Sequence, residues 1–266
     1  MTLKEKYVAL RDFMSGLGSC VVAFSGGVDS SLVAKAAFDA LGRNAVAVTV
    51  KSETMPDFEL ECAVSVAGEI GIRHVVVRRE ALKSKAFTNN PVDRCYLCKK
   101  DGVKILRDVA REYNFKFIVD GTNADDLADS GRTGLLALEE EGVVSPLALA
   151  GLVKQDVVGI AREVNLPNAG KPPFSCLATR IPFGEEITPG KLAMVERAEE
   201  FIKNSGVMQV RVRLHDGTAR IEVPDSDFGK IIKNRGLIVN EFKNLGFNYI
   251  TLDLEGYKIK NRNNLH

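Results

Sequence analysis

Apolar positions in the first part of the chain follow two different periods. Tyr7, Leu10, Phe13, Met14 and Leu17 recur at helical spacing. Val21-Val22-Ala23-Phe24 is a short run rich in β-branched residues, with Cys20 at its start. It feeds a glycine turn that opens into Leu32-Val33-Ala34-Lys35-Ala36-Ala37-Phe38, a helical pattern ending near Leu41-Gly42. Residues 45–50 are continuously apolar, as in a strand buried on both faces. The pattern then predicts a helix over 56–70, a strand over 74–77, a helix over 99–113 and a strand over 115–119. A further strand is expected over 143–147, and a helix over 154–164 that Pro167 closes. Strands alternating with helices predict an α/β fold, a doubly wound parallel sheet with ligands at the carboxyl ends of its strands.

Beyond Pro182 the pattern changes. Thr188-Pro189 begins a helix that runs to Gly206, and residues 209–214 and 219–223 alternate around His215-Asp216-Gly217-Thr218. Asp-Gly between alternating segments is a hairpin signal. A helix over 228–245 and a strand over 249–254 complete a small α+β domain. The expected organisation is a nucleotide domain (1–168), a proline- and glycine-rich linker (169–184) and a C-terminal domain (185–266). A polar tail after Lys258 is expected to fray.

Composition narrows the function classes. Lys+Arg 36 against Asp+Glu 35 leaves a formal charge of +1, which gives no global field for gripping nucleic acid. No apolar stretch approaches the ~20 residues of a membrane span. The five cysteines, with no secretory pattern, predict a reducing cytoplasmic setting.

The glycine turn carries the first chemistry. In Ser25-Gly26-Gly27-Val28-Asp29-Ser30-Ser31 the glycines allow close approach to an anion. The unpaired N–H groups of a helix start favour negative charge there. No lysine follows the glycines, so the turn is not a Walker A loop. Ser-Gly-Gly-x-Asp-Ser after a strand resembles the PP-loop of ATP pyrophosphatases, which implies ATP cleaved between its α- and β-phosphates. Two other loops fall at carboxyl ends of strands: Lys51-Ser52-Glu53-Thr54 and Asp120-Gly121-Thr122-Asn123-Ala124-Asp125-Asp126. The second could hold Mg2+ through its carboxylates, or be a polar turn capping a helix. The ATP site is assigned to Ser25, Gly26, Gly27, Asp29, Ser30, Ser31, Ser52, Gly121 and Asp125, with Asp29 also catalytic.

Cys95-Tyr96-Leu97-Cys98 is a C-x-x-C pair that can share a metal or close a disulfide. Cys176 stands in Lys171-Pro172-Pro173-Phe174-Ser175-Cys176-Leu177-Ala178-Thr179-Arg180. Cys20 and Cys62 read as buried small hydrophobes. Three thiolates can hold a 4Fe-4S cluster with its fourth iron open. Arg211 and Arg213 share one side of a strand and can fork a phosphate, or form an exposed face balanced by Glu222. Glu199 reads as a solvated helix-surface position, and Arg220 alternates with Glu222.

Together, the PP-loop, the 120–126 loop, the Cys176 motif and the Arg211-Val212-Arg213-Leu214-His215 hairpin with Ala219-Arg220-Ile221-Glu222 resemble the LarE family. These are the sulfur-inserting enzymes of nickel-pincer cofactor biosynthesis. The resemblance implies a PP-loop fold and adenylylation of a pyridinium dicarboxylate mononucleotide, followed by replacement of carboxylate oxygen with sulfur. It implies that Cys176 and Arg180 are catalytic and that Arg211, Arg213, Glu222 and Glu199 bind substrate. With Cys95 and Cys98 present, it implies the subgroup in which these two and Cys176 hold a 4Fe-4S cluster. In another group the cysteine at the Cys176 position is itself the sulfur donor. A sulfide or persulfide donor, a hexamer, and no nucleic-acid or membrane partner complete the expectation. The family's Asp-Tyr-Arg-Pro-Gly stretch reads Asp129-Ser130-Gly131-Arg132-Thr133-Gly134 here. A tRNA thiolase predicts a basic groove or an added RNA-binding domain, and the sequence shows neither; a nucleotide sensor would use the C-x-x-C as a redox switch.

Overall fold

The computed structural model describes residues 1–128 and 133–258. Arg132 and the tail after Lys258 therefore lie outside the described residues. The chain divides into two units: Met1–Arg79 with Asp93–Phe174, and Glu80–Val92 with Ser175 through to the last described residue.

In the first unit, α1 (Leu3–Leu17) begins with a reciprocal cap. Thr2 Oγ1 accepts the Glu5 N–H, and the Glu5 carboxylate accepts the Thr2 N–H. Then come β1 (Cys20–Ala23), α2 (Val28–Leu41), β2 (Ala45–Lys51), α3 (Asp57–Ile70) and β3 (Arg73–Arg78). After α4 (Lys85–Thr88), which belongs to the second unit, follow α5 (Arg94–Glu112), β4 (Phe117–Val119), α6 (Ala124–Ala128), α7 (Thr133–Glu140), α8 (Pro146–Leu149) and α9 (Lys154–Glu163). The four strands are parallel in the order β3-β2-β1-β4. Cys20 and Val22 pack with Leu32, Val33 and Ile160, from α2 and α9, on one face. Val21, Val46 and Val48 pack with Val103, Leu106 and Leu138, from α5 and α7, on the other. Burial on both faces is why these strands read as unbroken apolar runs.

Several boundaries differ from the sequence expectation, two of them in the first unit by enough to change an element. The helix expected from Lys99 starts at Arg94, so Cys95 and Cys98 lie inside its first turns. The strand expected over 143–147 is a single parallel bridge, Val119↔Val144. Pro146, with no N–H to give a ladder, instead occupies the first turn of α8.

In the second unit, Thr188 caps α10 (Pro189–Asn204) by accepting the Lys191 N–H. The hairpin of β5 (Arg211–His215) and β6 (Thr218–Glu222) turns through Asp216 at φ 48° and Gly217 at φ 74°. The helix expected over 228–245 is two, α11 (Phe228–Lys233) and α12 (Arg235–Leu245). Asn234 separates them, its side chain donating to the Lys230 carbonyl in competition with the helical ladder. Last comes β7 (Tyr249–Leu252), parallel to β6 in the order β5-β6-β7. Val212, Leu214, Ala219 and Ile221 form the buried face of this sheet. No helix among the described residues is long and apolar enough to cross a membrane.

Candidate functional site

The turn between β1 and α2 can be built only with glycine at position 26. Gly26 has φ +72°, and a Cβ there would stand 2.7 Å from the Ala63 Cα of α3. Ser30 Oγ donates to the Gly27 carbonyl at 3.0 Å and accepts the Ser25 N–H at 3.2 Å. It lies 3.1 Å from Ser25 Oγ, which accepts the Gly27 N–H at 3.3 Å. Two hydroxyls and the start of α2 thus ring one spot that suits an anion. Ser31 is different: it is fully buried and accepts the Asn168 side-chain amide. Gly121 abuts the same helix start, where a Cβ would meet the Ser30 nitrogen at 2.7 Å.

Asp29 accepts from Asn123 Nδ2 at 3.0 Å and pairs with the Lys154 ammonium. Asp125 accepts the Lys154 backbone N–H at 2.8 Å. Of the other carboxylates of this loop, Asp120 is buried and tied to its own turn and to Ser145, accepting from Thr122 and Ser145. Asp126 follows the helix-capping alternative, exchanging hydrogen bonds with Asn123 across the start of α6. Ser52 Oγ lies 3.0 Å from Thr54 Oγ1 after β2.

Cys95 and Cys98 are one turn apart and half-buried on α5. Arg79, just past β3, donates to Cys98 Sγ at 3.2 Å and to its carbonyl at 3.0 Å, and pairs with Asp101. Cys62 lies 3.9 Å from the Gly26 carbonyl, close to the pair formed by Lys171 and buried Glu59.

In the second unit, exposed Cys176 precedes a short turn, Leu177–Arg180. Arg180 is 2% exposed and forks onto Glu199, with Nε–Oε1 2.5 Å and Nη2–Oε2 3.2 Å, while Nη1 donates to Ser175 and Thr179. Glu199 also accepts the Val212 N–H. The helix-surface reading of Glu199 is therefore wrong: its inward position on α10 meets a buried guanidinium. On the polar face of β5 and β6, Glu222 accepts from both Arg213 and Arg220. Arg211 stacks on Tyr257 at 4.6 Å, and burial together with nearby Arg180 and Arg213 draws its pKa below the ordinary value. His215 Nε2 and Tyr257 Oη are buried without a partner among the described residues.

Lys154, Asn168, Arg79 and Tyr257 carried no motif that a sequence reading could use, and Asn123 was quoted only as part of the 120–126 loop. Among the described residues, no group of three His, Cys, Asp or Glu is placed to hold a metal ion. Cys95 and Cys98 belong to the first unit and Cys176 to the second.

The family model for NAD synthase matches residues 5–180. An uncharacterized protein of Synechocystis is 43% identical over 96% of both chains. Pyridinium-3,5-bisthiocarboxylic acid mononucleotide synthase of Lactiplantibacillus plantarum is 36% identical over 97% of this chain and 93% of its own length. A glutamine-hydrolyzing GMP synthase component of Archaeoglobus fulgidus is 27% identical over 70% of this chain and 64% of its own length.

Proposed function

The chain belongs to the LarE family of PP-loop, ATP-using sulfurtransferases, and from that premise we propose that it converts the carboxylates of a pyridinium-3,5-dicarboxylate mononucleotide to thiocarboxylates. The observation that carries this reading is the reach of the match to the Lactiplantibacillus plantarum enzyme. It spans 97% of the chain and so includes the arginine-bearing unit, whereas the match to the GMP synthase component covers 70%.

In this reading the Ser25–Ser31 turn receives the phosphates of ATP. A substrate carboxylate oxygen attacks the α-phosphorus, pyrophosphate leaves, and the acyl adenylate forms. Sulfur then adds to the activated carbonyl carbon and AMP departs. Asp29 and Asp125 are the hard oxygen donors suited to Mg2+, which when bound neutralises phosphate charge. Lys154, held on Asp29, supplies the cation that a Walker lysine supplies elsewhere. Ser52 and Gly121 border the nucleotide. Arg211 and Arg213 take the substrate phosphate, and the Arg180–Glu199 pair stiffens the segment that carries Cys176. The assembly is a homo-oligomer, a hexamer by resemblance.

Cys95, Cys98 and Cys176 suit an iron–sulfur group by donor chemistry, since all are thiols and a guanidinium already donates to the Cys98 sulfur. A 4Fe-4S cluster held there would supply sulfide from outside the chain. The exposure of Cys176 supports a second reading, in which Cys176 gives up its own sulfur.

Anaerobic incubation with ATP, Mg2+, sulfide and the dicarboxylate mononucleotide tests both. The expected result is AMP, pyrophosphate and a product in which sulfur replaces oxygen, over many turnovers. A single turnover, with Cys176 left as dehydroalanine, would select the second reading. No AMP at all would overturn both.

A further inference from the structure

Asn168 lies outside every motif discussed above, yet it is only 5% exposed and touches the PP-loop twice. Its Nδ2 donates to the Gly26 carbonyl at 2.8 Å and to Ser31 Oγ at 2.8 Å, across 142 and 137 residues of chain. The orientation of the amide is fixed chemically, because the Gly26 carbonyl can only accept.

Peptide geometry gives this bond a consequence. The Gly26–Gly27 peptide is trans, and a trans peptide places its carbonyl and N–H on opposite sides. Turning the Gly26 carbonyl toward Asn168 turns the Gly27 N–H the other way, toward Ser25 Oγ at 3.3 Å. That is the mouth of the loop, where Ser30 Oγ also lies. The peptide joins two glycines, which resist rotation less than any other pair. Flipped, it would aim a carbonyl oxygen at the incoming phosphate instead of a donor. The Cys62 thiol, 3.9 Å from the same carbonyl, is a weak donor and a poor substitute.

We infer that Asn168 is a positioning residue for nucleotide binding, locking the Gly26–Gly27 peptide with its N–H turned toward the phosphates. The inference rests on the loop being the ATP site.

The test compares the full-length protein with Asn168→Asp, Asn168→Ala and Cys62→Ala. It measures ATP·Mg2+ affinity by calorimetry, the KM for ATP, and the melting temperature without nucleotide. Both Asn168 variants should bind ATP about tenfold or more weakly, the scale of one charge-assisted hydrogen bond. The KM should rise in step, and Cys62→Ala should bind as wild type. Should the aspartate variant fail to fold, the alanine variant decides. Asn168 variants that melt earlier but bind ATP normally would reduce the residue to a strut and overturn the inference. Equal weakening by Cys62→Ala would trace the effect to packing and overturn it too. A wild type that binds no ATP would sink the nucleotide reading and the inference with it.

Discussion

At the scale of single residues, two kinds of position separate. Gly26 and Ser30 could be assigned to the turn from sequence because their neighbours define it. Arg180 and Glu199 could not, because their meaning comes from each other. Removing one partner of a buried ion pair leaves the other charged and without its counter-ion. Glu199→Ala is therefore expected to lower stability by about 3–5 kcal/mol, read from urea unfolding. A change under about 1 kcal/mol, typical of surface pairs, would contradict the buried geometry. Cys20 gives a pH prediction. Burial pushes its thiol up from 9.0 to about 12. The folded chain keeps a proton that the unfolded chain releases, so this contribution is intact below pH 9 and declines as pH rises toward 12. Iodoacetamide should label Cys176 in the native protein at neutral pH and reach Cys20 only after denaturation. Equal native labelling would contradict the burial.

At the scale of elements, the start of α5 is the informative correction. The sequence pattern began this helix at Lys99, after the C-x-x-C pair, but the helix extends back over it. α7 packs there closely enough that a Cβ on Gly134 would lie 3.5 Å from the Cys95 carbonyl. Arg79 binds the other side through Cys98 and Asp101. In the proposed iron–sulfur reading, a helical turn with two sulfurs on one face would offer a prepared pair of ligands rather than a flexible hook. After anaerobic reconstitution, about four irons per chain are expected. Cys95→Ser, Cys98→Ser and Cys176→Ser should each reduce that to background, measured as iron and acid-labile sulfide. Full iron retention in Cys176→Ser would remove the third ligand from the proposal. The hairpin of β5 and β6 was plain from alternation and Asp-Gly, whereas the break at Asn234 was not, since one polar residue scarcely disturbs a helical period.

For the whole molecule, each unit supplies a distinct chemistry. The first carries the Ser25–Ser31 turn and the thiol pair; the second carries the arginine face and Cys176. ATP·Mg2+ should raise the melting temperature of the whole protein, by about 2.7 kcal/mol of added stability at a hundredfold excess over Kd. An unchanged melting temperature at that excess would count against nucleotide binding. The parallel sheet, the PP-loop and the α+β unit were legible in the sequence because β-branched runs, glycine turns and periodicity act between near neighbours. The tertiary structure alone decided that Lys154 meets Asp29, that Arg180 meets Glu199, and that Asn168 holds the Gly26 carbonyl. Those contacts join residues far apart in the chain, and such pairings leave no periodic trace. They arise only when the packed core brings the segments together and buried polar groups must find partners.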